Sequence, residues 1–261
     1  MKRLFVVGIP VLCMLWSPLF AGITMDMVTR DASGQETDRS HIYAQSGKLR
    51  VDGTGAENVA NVTMIFLGSE FLILDHDQKS YVVMDDATLD EFALRISEAM
   101  KQIEAQIESL PPEQRAIAEQ ARQARTSSPV VPPRVEAIAT GKWNDRTCTQ
   151  YLIHEGGEKT QLVCAASLDH INGSEEMMLS FAQMADYVQR MTESLPISTD
   201  ESMNPGELMD YIEGFPVQRT AYQDGEVVEE DTLELLTEVD LDENLFRAPG
   251  DYIRMDPFQG P

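Results

Sequence analysis

The chain has 261 residues with 44 acidic against 20 basic side chains, a formal net charge of −24 and 43% apolar residues. Such a charge repels nucleic acid and anionic membrane surfaces, so no nucleic-acid partner is expected. The ordinary apolar content excludes a disordered chain and requires a real core.

At the N-terminus, Lys2 and Arg3 precede an apolar run from Leu4 to Phe20, broken only by Gly8, Pro10, Ser17 and Pro18 and followed by Ala21. A basic start, a short apolar stretch and a small last residue predict a cleavable secretory signal over residues 1–21. A run containing two prolines is short for a spanning helix of about 20 residues, so no stable membrane anchor is expected after cleavage. Cys13 follows the bulky Leu12, which argues against lipidation. The remaining chain, residues 22–261, carries 18 − 44 = −26 and is expected in the periplasm or outside the cell. That charge favours a basic partner, such as a basic envelope protein.

From Gly22 to Asp85 the sequence reads as strand after strand. Ile23, Met25 and Met27 alternate with Thr24 and Asp26; Val62 to Leu67, Phe71 to Leu74 and Tyr81 to Met84 are further runs. Turn residues at 31–35, 52–55, 68–69 and 75–78 separate them, predicting an antiparallel meander. The period then changes. Leu89, Phe92, Ile96, Met100 or Ala99, Ile103, Ile107 and Leu110 recur at three- and four-residue steps, predicting one long amphipathic helix. Pro111 and Pro112 stop it, 113–125 reads as a charged, alanine-rich helix, and the proline-rich 127–134 as an extended connector. Residues 86–126 are thus a helical insertion between two β regions.

Strands resume at Val135 to Thr140. Two cysteines, Cys148 and Cys164, remain after signal cleavage, and in an oxidising compartment they read as one disulfide. The sequence between them turns at Gly156 and Gly157. A three- or five-residue loop centred on Gly156 places the cysteines directly opposite each other; a two-residue loop does not. Met177, Phe181, Met184, Val188, Met191 and Leu195 then mark a second helix. Strands at 216–223 and 226–239 are joined by Asp224-Gly225, a hairpin turn, and Phe246 and Tyr252 are expected to anchor the tail.

No catalytic signature is present. The four histidines, His41, His76, His154 and His170, lack a helical metal spacing. His76 between Asp75 and Asp77 could bind a divalent ion, but strand neighbours point to opposite faces and the segment must turn, so a solvated turn is expected and no metal or cofactor. There is no Gly-x-Ser-x-Gly elbow and no phosphate-binding glycine loop. A non-enzymatic role is therefore expected. Methionine is the unusual feature: it fills irregular gaps in cores, and it also moulds to acyl chains or apolar peptide faces.

The order of elements resembles the LolA/LolB-like periplasmic fold, an incomplete β-barrel whose helices plug its open mouth. Four segments resemble an uncharacterised family of bacterial secreted proteins with that fold: Tyr43 to Asp52, Phe71 to Asp85, Gly141 to Tyr151 with Cys148, and Leu241 to Tyr252. The resemblance implies an α+β protein with a curved antiparallel sheet covered by inserted helices. It also implies a hydrophobic cavity between sheet and helix, used in related proteins for lipoprotein acyl chains or for sensing envelope components. The charged helix at 113–125 and the connector depart from the compact carriers and could form a lid or a partner surface. The expected lining is Met25, Met27, Met64 and Phe66 from the strands with Phe92, Ile96, Met184 and Val188 from the helices, around a lipid or other apolar ligand.

Overall fold

The structure, a computed structural model, describes residues 22–53, 61–117, 132–156, 158–194, 208–209 and 211–258. The expected signal over 1–21 and most of the 127–134 connector lie outside the described residues. Six strands come first: β1 (Gly22–Asp31), β2 (Glu36–Gln45), β3 (Lys48–Gly53), β4 (Val62–Phe66), β5 (Phe71–Asp75) and β6 (Ser80–Met84). Helix α1 (Asp86–Ser109) follows, then β7 (Arg134–Trp143), β8 (Arg146–Glu155) and β9 (Glu158–Ala166). Helix α2 (Ser174–Ser194), β10 (Phe215–Gln223), β11 (Glu226–Val239), a 3₁₀ turn (Glu243–Phe246) and β12 (Ile253–Arg254) complete the order.

All twelve strands form one open sheet in the order β12-β6-β5-β4-β3-β2-β1-β11-β10-β9-β8-β7. It consists of two meanders, β1–β6 and β7–β11, joined where β1 pairs antiparallel with β11. Only β12 runs parallel, beside β6. The fold is α+β, an open antiparallel sheet carrying helices, and the sheet is curved. In a flat sheet β7 and β11 would stand about 19 Å apart, at roughly 4.8 Å per strand. Yet the indole N–H of Trp143, at the end of β7, donates to the carbonyl of Leu233 in β11 at 2.7 Å. A tryptophan cannot bridge the flat distance, so the second meander rolls on itself.

Local chemistry explains the turns. Asp224 and Gly225 both have positive φ, 52° and 82°, as a hairpin turn matching strand twist requires. Ser46 and Gly47 do the same at 52° and 76°. That turn splits into β2 and β3 a stretch for which the sequence pattern predicts no turn before Asp52. Helix α1 begins where Asp85 accepts from the backbone N–H of Thr88 at 2.8 Å, an N-cap, and ends at Leu110 before Pro111. Residues 112–117 are helical.

The cysteine hairpin differs from expectation. Glu155 pairs with Glu158 around a two-residue turn, and a bulge between Ile153 and His154 then shifts the register so that Cys164 faces Gln150. Cys148 and Cys164 are consequently diagonal rather than opposite neighbours. They are disulfide-bonded with Cα atoms 5.5 Å apart, within the range such a bond spans. Gly141 pairs with Cys148, and a Cβ at 141 would stand 2.8 Å from the Cys164 sulfur. The bond needs a glycine there.

Three cores follow from the alternation of the strands. The first holds Ile23, Met25, Ala44, Leu49, Phe66 and Phe71 with the disulfide, Trp143, Phe215, Leu233 and Tyr187 of α2. On the other face of β4–β6, Ile65, Leu72, Leu74 and Val83 pack against Leu241 and Phe246 of the tail, with Tyr252 beside them. A third cluster joins Tyr151, Ile153, Val163 and Ala165 to Leu208 and Ile212.

Candidate functional site

The helix-bearing face of β1–β6 carries two parallel apolar rows, because the registers align every second residue across the strands. The first row is Ile23, Ala44, Leu49, Phe66, Phe71 and Met84. Helix α2 covers it: Tyr187 is fully buried, its ring centroid 6.0 Å from Phe66 and 5.4 Å from Phe71. Its hydroxyl donates to the Met84 carbonyl at 2.8 Å. Burial raises the Tyr187 phenol above its ordinary value. At the other end of α2, the Phe181 ring lies 5.5 Å from Phe215 of β10. The helix thus lies across the strands.

One step along the strands runs the second row: Met25, Ile42, Val51, Met64, Ile73 and Val82, each paired in register with the next. Across β1 to β6 it measures about 24 Å, five spacings of roughly 4.8 Å. Met25 is buried at its β1 end, Ile42, Val51, Ile73 and Val82 are half-buried, and Met64 is 45% exposed. Met184, Val188 and Met191 of α2 pack in the same cluster as Met25, Met27 and Ile42, forming a wall above the β1 end. The result is an apolar strip beside α2, a shallow groove covered at Met25 and most exposed at Met64.

Of the eight residues expected to line a ligand, the structure brings Met25, Met27, Phe66, Met184 and Val188 into one cluster. Phe66 lies beneath α2, 1% exposed. Met64 occupies the open part of the groove floor. Phe92 instead stacks on Phe258 of the tail, centroids 4.8 Å apart, with the Arg95 guanidinium over the same Phe258 ring at 4.3 Å. Ile96 is half-buried one turn further along α1. Neither belongs to the cluster under α2. Among the described residues no group of three or more His, Cys, Asp or Glu side chains could hold a metal ion.

Two features escaped the sequence reading. His76, expected as a solvated turn residue, belongs to a polar chain on the opposite face. Thr63 contacts Asp52 Oδ1 at 2.5 Å and His76 Nε2 at 2.8 Å, and His76 Nδ1 meets the Tyr252 hydroxyl at 2.6 Å. Thr63 has one hydroxyl proton and gives it to the carboxylate, so Nε2–H donates to Thr63 and Nδ1 accepts from Tyr252. The chain clasps the tail, aided by Arg50, which donates to the Leu245 carbonyl at 2.8 Å. The aspartates beside His76 are the only sequence hint of a polar role, and they do not indicate Tyr252, 176 residues away.

The second feature is a cleft of about 1020 Å³ between Thr140, Thr147 and Thr149, the 167–175 segment, and Glu213 to Phe215. None of the eight expected residues lines it. Its elements come from separate parts of the chain, so no local pattern announces it.

No family model matches the chain, and no curated protein does either. Among solved structures it is similar to an uncharacterised conserved protein of Thermus thermophilus, 10% identical over 91% of both chains with a TM-score of 0.46. It is also similar to the MucA/MucB complex structure of Pseudomonas aeruginosa, 8% identical over 89% of this chain and 57% of that one, TM-score 0.39. A LolA-superfamily protein of Nitrosomonas europaea is 8% identical over 88% and 91%, TM-score 0.29. No helix among the described residues is long and apolar enough to cross a membrane.

Proposed function

We propose that this is a non-enzymatic periplasmic binding protein that holds a lipid or acyl chain in the groove beside α2. The observation that carries the reading is the second apolar row, which leaves Met64 45% exposed on the face that elsewhere packs under a helix. Covering apolar surface gains about 25 cal/mol per Å², so a flexible chain lying along the row is stabilised by the same force that seats α2 on the first row. Methionines at 25, 27, 64, 184 and 191 give the groove adaptable walls. An extended occupant suits a long, narrow floor better than a compact one.

Native mass spectrometry with lipid extraction, on protein purified from its own periplasm, tests this. A co-purifying acyl species is expected, and Met64→Glu should abolish its retention while leaving the fold intact. A bare protein that also ignores a lipid panel removes the proposal.

A second reading, an envelope interaction protein acting through its acidic surface, is favoured by the cleft, whose lining includes Asp169, Glu175 and Glu213 but no basic side chain. Salt-sensitive capture of a basic partner without bound lipid would support it.

A further inference from the structure

The cleft shares none of its lining with the groove's apolar row, although both border the first core, and it has its own chemistry. Leu168, Met178 and Phe215 give it an apolar floor, and Asp169, Glu175 and Glu213, all exposed, place three carboxylates around the rim. With no Lys, Arg or His in the lining, an anionic ligand has no counter-charge there. The start of α2 would ordinarily favour an anion, but Glu175 and Glu176 already occupy its first turn. The complementary occupant combines cationic and apolar groups.

The strand beside the cleft narrows the class further. Thr140 of β7 lines it, and β7 is the last strand of the sheet, with no strand on its outer side among the described residues. Its outward N–H and C=O groups can pair with an added strand. The bulge between Ala137 and Ala139 interrupts the regular edge, and the stretch on the cleft's side of it, which holds Thr140, runs from Ala139 to Trp143. A small amine uses none of these backbone groups; a peptide does. The volume, about 1020 Å³, is at the upper end of ligand pockets and holds several side chains.

We propose that this cleft docks an extended segment of a partner protein in which basic and apolar side chains alternate, paired along Ala139–Trp143, with its apolar side chains over Phe215 and Met178 and its basic ones at Asp169, Glu175 and Glu213.

Fluorescence anisotropy of the full mature chain with a short labelled peptide of alternating lysine and leucine tests this at physiological salt. The comparison peptides are its glutamate–leucine counterpart and a backbone N-methylated form. Binding of the lysine–leucine peptide is expected, with loss of about tenfold in affinity, roughly 1.4 kcal/mol, in the D169N/E175Q/E213Q variant. A D90N/E98Q/E108Q variant, which removes the same charge from α1, should lose less than about twofold. N-methylation should weaken binding by about tenfold through loss of edge pairing, and the acidic peptide should not bind. Met64→Glu should leave peptide binding unchanged, which separates this site from the groove. No binding, equal losses in the two charge variants, or undiminished binding of the N-methylated peptide would each overturn the proposal.

Discussion

The two meanders are held by different means. In β1–β6 both faces are covered by chain: α2 seals Phe66 and Phe71 on one side, and the tail packs Leu241 and Phe246 against Ile65 and Leu74 on the other. In β7–β11 the roll is secured by a disulfide and by one indole hydrogen bond across the curve. A sheet clad on both faces is held by packing distributed over many side chains. The rolled half is packed too, through Trp143, Phe215 and Leu233 in the first core and Leu208 and Ile212 in the third, but it adds a covalent constraint and ends in a strand with no neighbour among the described residues. The groove lies on the first half and the cleft on the second, so the two candidate sites differ in what keeps them in shape.

The largest effect is expected where packing dominates. Phe66→Ala removes the ring that joins Phe71 and Tyr187 and should cost about 3–5 kcal/mol in urea unfolding. Comparing that loss with and without the disulfide tests the contrast, because Phe66 and the disulfide belong to one core and residues of one core need not add. A loss that depends on the disulfide would mean the two halves are one cooperative unit. Next comes the covalent constraint. Replacing both Cys148 and Cys164 with alanine opens a loop of 16-residue separation, which should cost about 3 kcal/mol in the chain-entropy model. Hydrogen exchange should speed up first in β7–β9, with β1–β6 protected. Uniform loss of protection would erase the contrast.

A smaller effect should follow from loosening the cladding of the first half. Tyr252→Phe removes one hydrogen bond to His76 and should cost about 1 kcal/mol. The amides of Ile253 and Met255, which donate to Lys79 and Tyr81 carbonyls at 2.9 and 2.8 Å, should exchange faster while the β4–β5 amides do not change.

What the sequence made legible follows the same division. Period-two and period-four patterns located β1, β4–β6, both helices and the Asp224-Gly225 hairpin, because each depends on residues close in the chain. The shared faces of Met25 and Met27, and of Met184 and Val188, were legible for the same reason, since local periodicity alone sets them. Phe92 was misplaced because its stripe says which face is apolar and not what covers it, and the cover proved to be Phe258. The cysteine register failed at the turn, where Glu155 pairs with Glu158 instead of the chain centring on Gly156, and again at one bulged residue, which no propensity marks. The cleft and the Thr63–His76–Tyr252 chain join segments distant in sequence, and a single sequence carries no signal for those.

The smallest expected effect concerns the root of α1, which leaves the first half at Asp85. Its carboxylate accepts from the Thr88 backbone N–H and from the Thr88 hydroxyl, both at 2.8 Å, and these bonds, the backbone one first, lower its pKa. A carboxylate lowered on folding adds stability above its unfolded value, and that stability disappears as pH falls through the folded value. Asp85→Asn keeps a capping side chain but removes the titration, whereas Asp85→Ala should cost about 1 kcal/mol at neutral pH. Asp31, Glu36, Glu234 and Asp251 are lowered too, so acid weakens the whole protein, and only the difference between wild type and Asp85→Asn isolates the cap. That difference should favour wild type at neutral pH and vanish below the ordinary carboxylate range. A difference that stays constant with pH would show that the cap works through hydrogen-bond geometry rather than charge. The root of α1 would then be held by hydrogen-bond geometry alone, unlike the acid-sensitive carboxylates Asp31 and Glu36 of the same half.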